Sequence, residues 1–147
     1  MGKAIAEARK AENKSEVPIG CIIVRDGSII AKAHNLRESK QDPAGHAELL
    51  AIRKAAKKLG NWRLLNTALY VTLEPCIMCM GAIILARIPL VVFGCHDPKG
   101  GAAGSLYDFS NDSRLNHQIE LVSGVSAELC SSMITDFFSK LRKNRIK

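Results

Sequence analysis

The chain reads as a three-layer α/β/α protein built on a central five-stranded mixed sheet. Three observations lead there. Apolar, β-branched runs alternate with helix-patterned segments in the order α-β-β-α-β-α-β-β-α, which calls for a sheet covered by helices on both faces. The first two runs are joined by Asp26-Gly27, a strong hairpin-turn dipeptide. A length of 147 residues, 47% hydrophobic and 24% charged, suits a single globular domain over 1–147.

Taken in order, a short amphipathic helix is expected over Lys3 to Asn13, and Pro18 opens the next element. Ile19 to Arg25 and Ser28 to Ala33 are the hairpin strands. Residues 34–45 are polar and punctuated by Asp42-Pro43-Ala44-Gly45, so they read as a loop. A helix follows from His46 to Leu59, ended by Gly60, which tolerates the left-handed backbone of a C′ position. Thr67 to Leu73 is the third strand. Pro75 fits the first turn of the next helix, where its missing N–H is harmless. That helix spans Cys76 to Ile88 and stops before Pro89. Leu90 to Phe93 is the fourth strand, followed by a glycine-rich loop from Gly94 to Ser105 and irregular chain to Asn116. His117 to Val122 is the fifth strand, and a last helix runs from Ser126, as N-cap, to Lys143. The helix at 76–88 is apolar nearly all round. Met78, Met80, Ile83 and Ile84 are expected to exceed what one sheet covers, and a homodimer interface is the economical explanation.

Composition narrows the class further. The most apolar stretch, Ile77 to Phe93, is broken by Arg87 and Pro89 and falls short of the roughly 20 residues of a membrane span. The N-terminus soon carries Glu7, Arg9, Lys10 and Glu12, unlike the apolar core of a signal peptide, so a cytoplasmic location is expected. Five cysteines, an odd number, argue against a disulfide framework. Cys21 and Cys130 read as small apolar residues, while Cys95 ends a strand and is the alternative fourth ligand of a closed metal site. The net charge is +7, from 21 basic against 14 acidic residues. Lys140, Arg142, Lys143, Arg145 and Lys147 crowd the C-terminus, and Arg53, Lys54, Lys57 and Lys58 form a second cluster. Such an excess suits a polyanion, with a solvated helix face as the plainer reading.

The chemistry lies in two segments, His46-Ala47-Glu48 and Pro75-Cys76-Ile77-Met78-Cys79. Zinc binds imidazole and thiolate tetrahedrally, and a catalytic zinc keeps three protein ligands with water in the fourth position. His46, Cys76 and Cys79 supply three. The pKa of such a water falls from about 15.7 to about 7. Cys76 and Cys79 are three apart in the first turn of a helix, on one face, where the macrodipole favours thiolate. Glu48 is only two residues from His46 and points elsewhere on a helix, which suits a proton carrier better than a ligand. Both helices follow strands, so their N-termini can converge at one sheet edge. Gly100-Gly101-Ala102-Ala103-Gly104-Ser105 lacks the lysine-serine ending of a P-loop and reads as a flexible substrate-facing loop. His34, His96 and His117 have no partner spacing and read as ordinary histidines.

H-x-E followed by P-C-x-x-C is the signature of the zinc nucleobase deaminases. Over nearly its whole length the chain resembles the bacterial tRNA-specific adenosine deaminase family. The resemblance rests on Glu16-Val17-Pro18-Ile19-Gly20, Asp42-Pro43 leading to His46-Ala47-Glu48, and Thr67-Ala68-Leu69-Tyr70-Val71-Thr72-Leu73-Glu74-Pro75-Cys76. Val91-Val92-Phe93-Gly94, Gly101-Ala102-Ala103-Gly104-Ser105-Leu106 and Asn116-His117 complete it. It implies a cytidine deaminase-like fold and hydrolysis of adenosine to inosine at the wobble position of a tRNA anticodon stem-loop. It further implies a homodimer with one zinc per subunit. Carried onto this chain, His46, Cys76 and Cys79 hold zinc and Glu48 shuttles the proton. Asn35 hydrogen-bonds the flipped nucleotide, Asp97 contacts its neighbour, and Val17, Pro18 and Ile19 wall the base pocket. Two positions depart from the pattern: Gly45, where a slightly larger residue is expected, and His96, where arginine is. Two rivals stay open, a deaminase of free small molecules, which needs no basic surface, and a non-catalytic zinc-stabilised RNA-binding module, which needs no Glu48.

Overall fold

The two-residue turn at Asp26-Gly27 has positive φ at both positions, 50° and 73°, as a type I′ hairpin requires. It sets the first strands antiparallel, and the rest of the sheet grows from them. The computed structural model describes residues 1–145. Its elements are α1 (Gly2–Glu12), β1 (Gly20–Arg25), β2 (Ser28–His34), α2 (Arg37–Lys40), α3 (Ala47–Leu59), β3 (Thr67–Leu73), α4 (Ile77–Leu85), β4 (Leu90–Cys95), β5 (Glu120–Val122) and α5 (Ala127–Arg145). The five strands lie in the order β2-β1-β3-β4-β5. β1 is antiparallel to both β2 and β3, whereas β3–β4 and β4–β5 are parallel. Helix α4 makes the crossover between β3 and β4 that a parallel pair needs.

Helices cover both faces, giving the expected three layers. On one side α3 lays Ala47, Ala51 and Ala55 on the sheet, one small residue per turn, beside Met80 and Ile83 of α4. These close over Ile23, Leu69, Val71, Val91 and Phe93. The opposite side is smaller: Ile5 and Ala8 of α1 and Cys130 and Met133 of α5 meet Cys95. A Cβ at position 20 would run into the Ala4 carbonyl, so Gly20 is what allows α1 to lie directly on β1. No helix among the described residues is long and apolar enough to cross a membrane.

Several boundaries differ from the sequence reading. The polar segment 34–45 contains the one-turn helix α2, ended by Gln41 in left-handed backbone at φ 49°. Helix α4 ends at Leu85, three residues before Ile88. Arg87 turns left-handed (φ 62°), its N–H reaching Ile84 O at 3.0 Å and the Ile88 N–H reaching Ile83 O at 3.2 Å. That is a Schellman closure, and Pro89 disfavours helical backbone at Ile88 in any case. Strand β4 runs two residues further than expected, while β5 is confined to Glu120–Val122. Ser126 is left-handed at φ 57°, not the extended residue of an N-cap. The apolar faces of α4 also need correcting. Met80, Ile83 and Ile84 share one buried stripe at i, i+3 and i+4, and only Met78 of the expected four is exposed, at 38%.

Two buried carboxylates tie the periphery to the sheet. Glu7 of α1 accepts from Lys10 Nζ at 2.6 Å, and its other oxygen lies 3.0 Å from His34 Nδ1. Lys14 Nζ stands 3.0 Å from His34 Nε2; an ammonium only donates, so Nε2 accepts and Nδ1 carries the proton given to Glu7. Glu16, fully buried, accepts from the N–H groups of Ser39 (2.6 Å) and Glu38 (3.2 Å) and from Asn35 Nδ2 (3.3 Å). Burial pushes both carboxyls up, but these donors outweigh it and hold them below the ordinary 4.5. A carboxyl depressed in the fold stabilises fully above its unfolded value, and that stabilisation is lost as pH falls through the folded one. The urea midpoint is therefore expected to drop steeply below pH 4.5. Glu16→Gln is expected to lower the midpoint at pH 7 and to make that acid drop shallower, as urea titrations between pH 7 and 3 would show.

Candidate metal centre and active site

Sheet direction decides which residues meet. Because β1 opposes β2 and β3 while β4 follows β3, one sheet edge receives the start of β1 and the ends of β2, β3 and β4. Val17 and Ile19, Asn35, Glu74 to Cys76, and His96 with Asp97 therefore converge beyond that edge. Helices α3 and α4 begin there, with His46 and Cys76 as their N-cap residues. Both caps have extended backbone (ψ 145° and 177°), and neither side chain caps its own helix. Imidazole and thiol are thus free to turn toward each other.

His46 Nδ1 lies 3.6 Å from Cys76 Sγ and 3.6 Å from Cys79 Sγ. All three donor atoms fall within 4.8 Å of one another. Zinc bonds of about 2.3 Å to sulfur and 2.05 Å to nitrogen, at a tetrahedral angle, separate N and S by about 3.6 Å. The spacing and the donor types both fit zinc. A hydrogen bond from Cys79 holds the Cys76 thiol down at about 4, against its burial. Cys79, giving that bond from a buried position, is held well above its ordinary value.

Glu48, in the first turn of α3, is 4% exposed. Its burial dominates, raising the carboxyl to about 7. It shares with His46 and Cys76 a cleft of about 660 Å³, whose walls include Val17, Ile19, Asn35 and Asp97. Pro18, expected as a third wall residue, is fully buried and outside this lining, because the chain alternates as it enters β1. Asn35 is 5% exposed, its amide donating to Glu16 and its oxygen accepting from the Arg37 N–H at 3.4 Å. Asp97 stands at the end of β4, where Oδ1 accepts from the Lys99 N–H at 3.0 Å.

Cys95 does not join the metal donors. Its thiol donates to Thr72 O at 3.7 Å and burial pushes it up to about 11, so the three-ligand reading stands without it. Gly45 sits where a Cβ would lie 3.0 Å from Asp42 O and 3.2 Å from Arg37 N, a tight turn to which glycine adapts the loop. The glycine-rich loop is not the loose segment expected. Ala102 and Ala103 are buried, the Ala102 N–H donates to Pro75 O at 2.8 Å, and Gly101 bridges to Cys76. His34 and His96 each approach a buried glutamate.

The cleft also has a wall that sequence reasoning missed. Ser131, Ile134, Thr135, Phe138 and Arg142 of α5 line it at helical spacing. That stripe was visible in the sequence, but nothing local said which face of α5 would turn to the site. Arg142 thus brings one basic C-terminal residue into the lining of the cleft, while Lys140 pairs with Glu12 of α1 at 3.2 Å. Lys147 lies outside the described residues.

With this geometry in place, residues 1–95 match the cytidine and deoxycytidylate deaminase zinc-binding region. The chain belongs to this family of zinc-dependent deaminases. Within it, the chain is 55% identical over 145 residues to a tRNA-specific adenosine deaminase of Bacillus subtilis, covering 99% of this chain and 90% of that protein. A solved structure from work on A-to-I editing by tRNA:A34 deaminases at the wobble position superposes with a TM-score of 0.87 at 41% identity, over 90% of this chain and 96% of that one. A guanine deaminase from Bacillus subtilis superposes less closely, with a TM-score of 0.63 at 33% identity, over 97% of this chain and 90% of that one.

Protein purified without chelators is expected to carry one zinc per chain. His46→Ala or Cys76→Ala should lose the metal and Cys95→Ser should keep it, as elemental analysis would report. Zinc that depended on Cys95 would mean a closed, structural shell.

Proposed function

We propose that the protein is a tRNA-specific adenosine deaminase, one domain over 1–147 that hydrolyses adenosine to inosine at the wobble position of the tRNA anticodon. The observation that carries this reading is the His46–Cys76–Cys79 donor set beside a buried Glu48, in a cleft that Arg37, Lys99 and Arg142 also line. The high identity to a Bacillus subtilis protein of that name supports it.

His46, Cys76 and Cys79 hold zinc, which when bound supplies a Lewis acid that makes water a competent nucleophile at neutral pH. Glu48, with a carboxyl near 7, both accepts and gives a proton at neutral pH. It takes the proton released as water adds to C6 of adenine and delivers it to the ring nitrogen. The carboxylate then takes the proton of the new C6 hydroxyl and passes it to the amino group, which leaves as ammonia as the C6 carbonyl of inosine forms. Val17 and Ile19 exclude water from the faces of the base. Asn35, its amide held by Glu16, hydrogen-bonds the flipped nucleotide, and Asp97 meets the neighbouring one. Flipping a base out of a loop costs less than out of a stacked duplex, which favours an anticodon loop. Lys99 and Arg142 line the same cleft and suit backbone phosphates. With such a substrate, we read the enzyme as cytoplasmic.

The active form in this reading is a homodimer. Ile77 (52%), Met78 (38%) and Leu85 (68%) leave one side of α4 exposed, next to Trp62 (53%) and Leu65 (51%). The Leu64 N–H donates to Ala86 O at 2.7 Å, which brings the 62–65 segment beside the end of α4. A second copy offers a matching surface.

Incubation with bulk tRNA is expected to form inosine at anticodon wobble positions, mapped by sequencing, with free adenosine, cytosine and guanine left unchanged. Glu48→Ala should retain zinc and fold while turnover falls at least ~10²-fold, the scale of a positioned acid–base group. Light scattering at micromolar concentration should return a dimer mass, and Leu85→Arg should shift it toward monomer; a monomeric wild type would remove the homodimer from this reading.

A further inference from the structure

We propose that Glu74 is a positioning residue whose carboxylate fixes the 96–105 loop against the metal-bearing Pro75–Cys76 segment, and thereby sets where Asp97 and Lys99 stand at the cleft. The inference rests on the tRNA reading only in taking that loop to face the substrate.

Glu74 directly follows β3, its own N–H donating to Cys95 O at 2.9 Å. Its side chain is fully buried, and among the described residues no lysine or arginine is paired to it. The charge is instead surrounded by donors from the loop. Oε1 accepts from the N–H groups of Ala103 (3.0 Å) and Ser105 (2.9 Å). Oε2 accepts from the Asp97 N–H at 2.9 Å and from the Ser105 hydroxyl, and His96 Nδ1 lies 3.2 Å away. Several backbone N–H groups converging on one anion form a cradle that keeps it ionised.

The contacts grip the loop at both ends, residues 96–97 on one side and 103–105 on the other. Between them Gly101 crosses the carboxylate so closely that a Cβ there would overlap it. Both oxygens are occupied by loop donors, which leaves Glu74 no free acceptor for substrate. It is also two residues from Cys76, so a single strand end places a metal donor and the loop together. A rigid connection of this kind transmits no chemistry, but it keeps the substrate contacts in register with the metal.

Glu74→Gln keeps the volume and turns one acceptor into a donor aimed at other donors. Ser105→Ala removes one bond from the far side of the loop, away from the metal donors. The readouts are zinc content, amide hydrogen exchange over 97–105, and kcat and KM on an anticodon stem-loop RNA. Both variants are expected to keep about one zinc per chain. Exchange at Ala103 and Ser105 should be about 10-fold faster in Glu74→Gln, with KM raised about 10-fold, the scale of a lost hydrogen bond to a charged group. kcat at saturation should change less than KM, and Ser105→Ala should move exchange and KM in the same direction by less. Unchanged exchange and KM in folded, zinc-replete Ser105→Ala and Glu74→Gln would overturn the inference, as would zinc loss with the loop exchange unchanged. If Glu74→Gln does not fold, Ser105→Ala decides alone. A wild type inactive on RNA would fail the functional reading, and loop exchange in the variants would still decide the pinning.

Discussion

The antiparallel pairing of β1 with β3, set beside the parallel pairing of β3 with β4, is what the site depends on. Strand direction determines which loop emerges at which edge. A parallel β1 would send Val17, Ile19 and Asn35 to the far side of the sheet from His46, Cys76 and Asp97. As paired, four segments distant in sequence open onto one edge. The type I′ turn at Asp26-Gly27 contributes directly, because it returns β2 so that Asn35 emerges beside the start of β1.

Helix polarity acts on the same edge. Two helices begin there with metal donors at their N-caps, so backbone N–H groups and the positive ends of two macrodipoles surround the thiols. That environment favours thiolate, and at Cys76 the hydrogen bonds from Cys79 and His46 lower the thiol further. Glu48 experiences the opposing influence. It is buried deeply enough that desolvation outweighs the nearby imidazole and keeps its carboxyl protonatable near neutrality. Two acidic groups only a few ångströms from a common centre are thus pushed apart in pKa by their different surroundings.

The loops at this edge are held by buried carboxylates. Glu16 anchors 35–39 and Glu74 anchors 96–105, each neutralised chiefly by backbone N–H groups instead of a cationic side chain. An amide cradle is directional, and its donors belong to the chain being positioned, so the anion specifies a loop conformation as well as compensating its own burial. Removing such a carboxylate would leave a cluster of unpaired N–H groups, which is why these glutamates, though their oxygens are taken up by donors of the chain itself, shape the cleft.

Local chemistry wrote the element order, the hairpin, the left-handed stop at Gly60 and the donor set His46, Cys76 and Cys79 into the sequence. Each rests on residues a few positions apart: a turn dipeptide, a helix period, or two ligands one turn apart. The place of Glu48 in the first turn of α3 was legible for the same reason, being fixed by its offset from His46. What only the tertiary structure decided depended on partners far along the chain. Pro18 looked like a wall residue, but the entry of the chain into β1 turned it inward. Met80, Ile83 and Ile84 looked like surplus apolar surface, yet they form one covered stripe, because burial depends on which helix face meets the sheet. The glycine-rich loop read as flexible because its anchor, Glu74, lies about thirty residues earlier. The α5 wall went unseen because helical periodicity gives a face but not its neighbour. Sequence carries periodicities and short-range spacings; the direction in which a side chain points across a cleft is set by strand polarity and packing, which exist only once the sheet has formed.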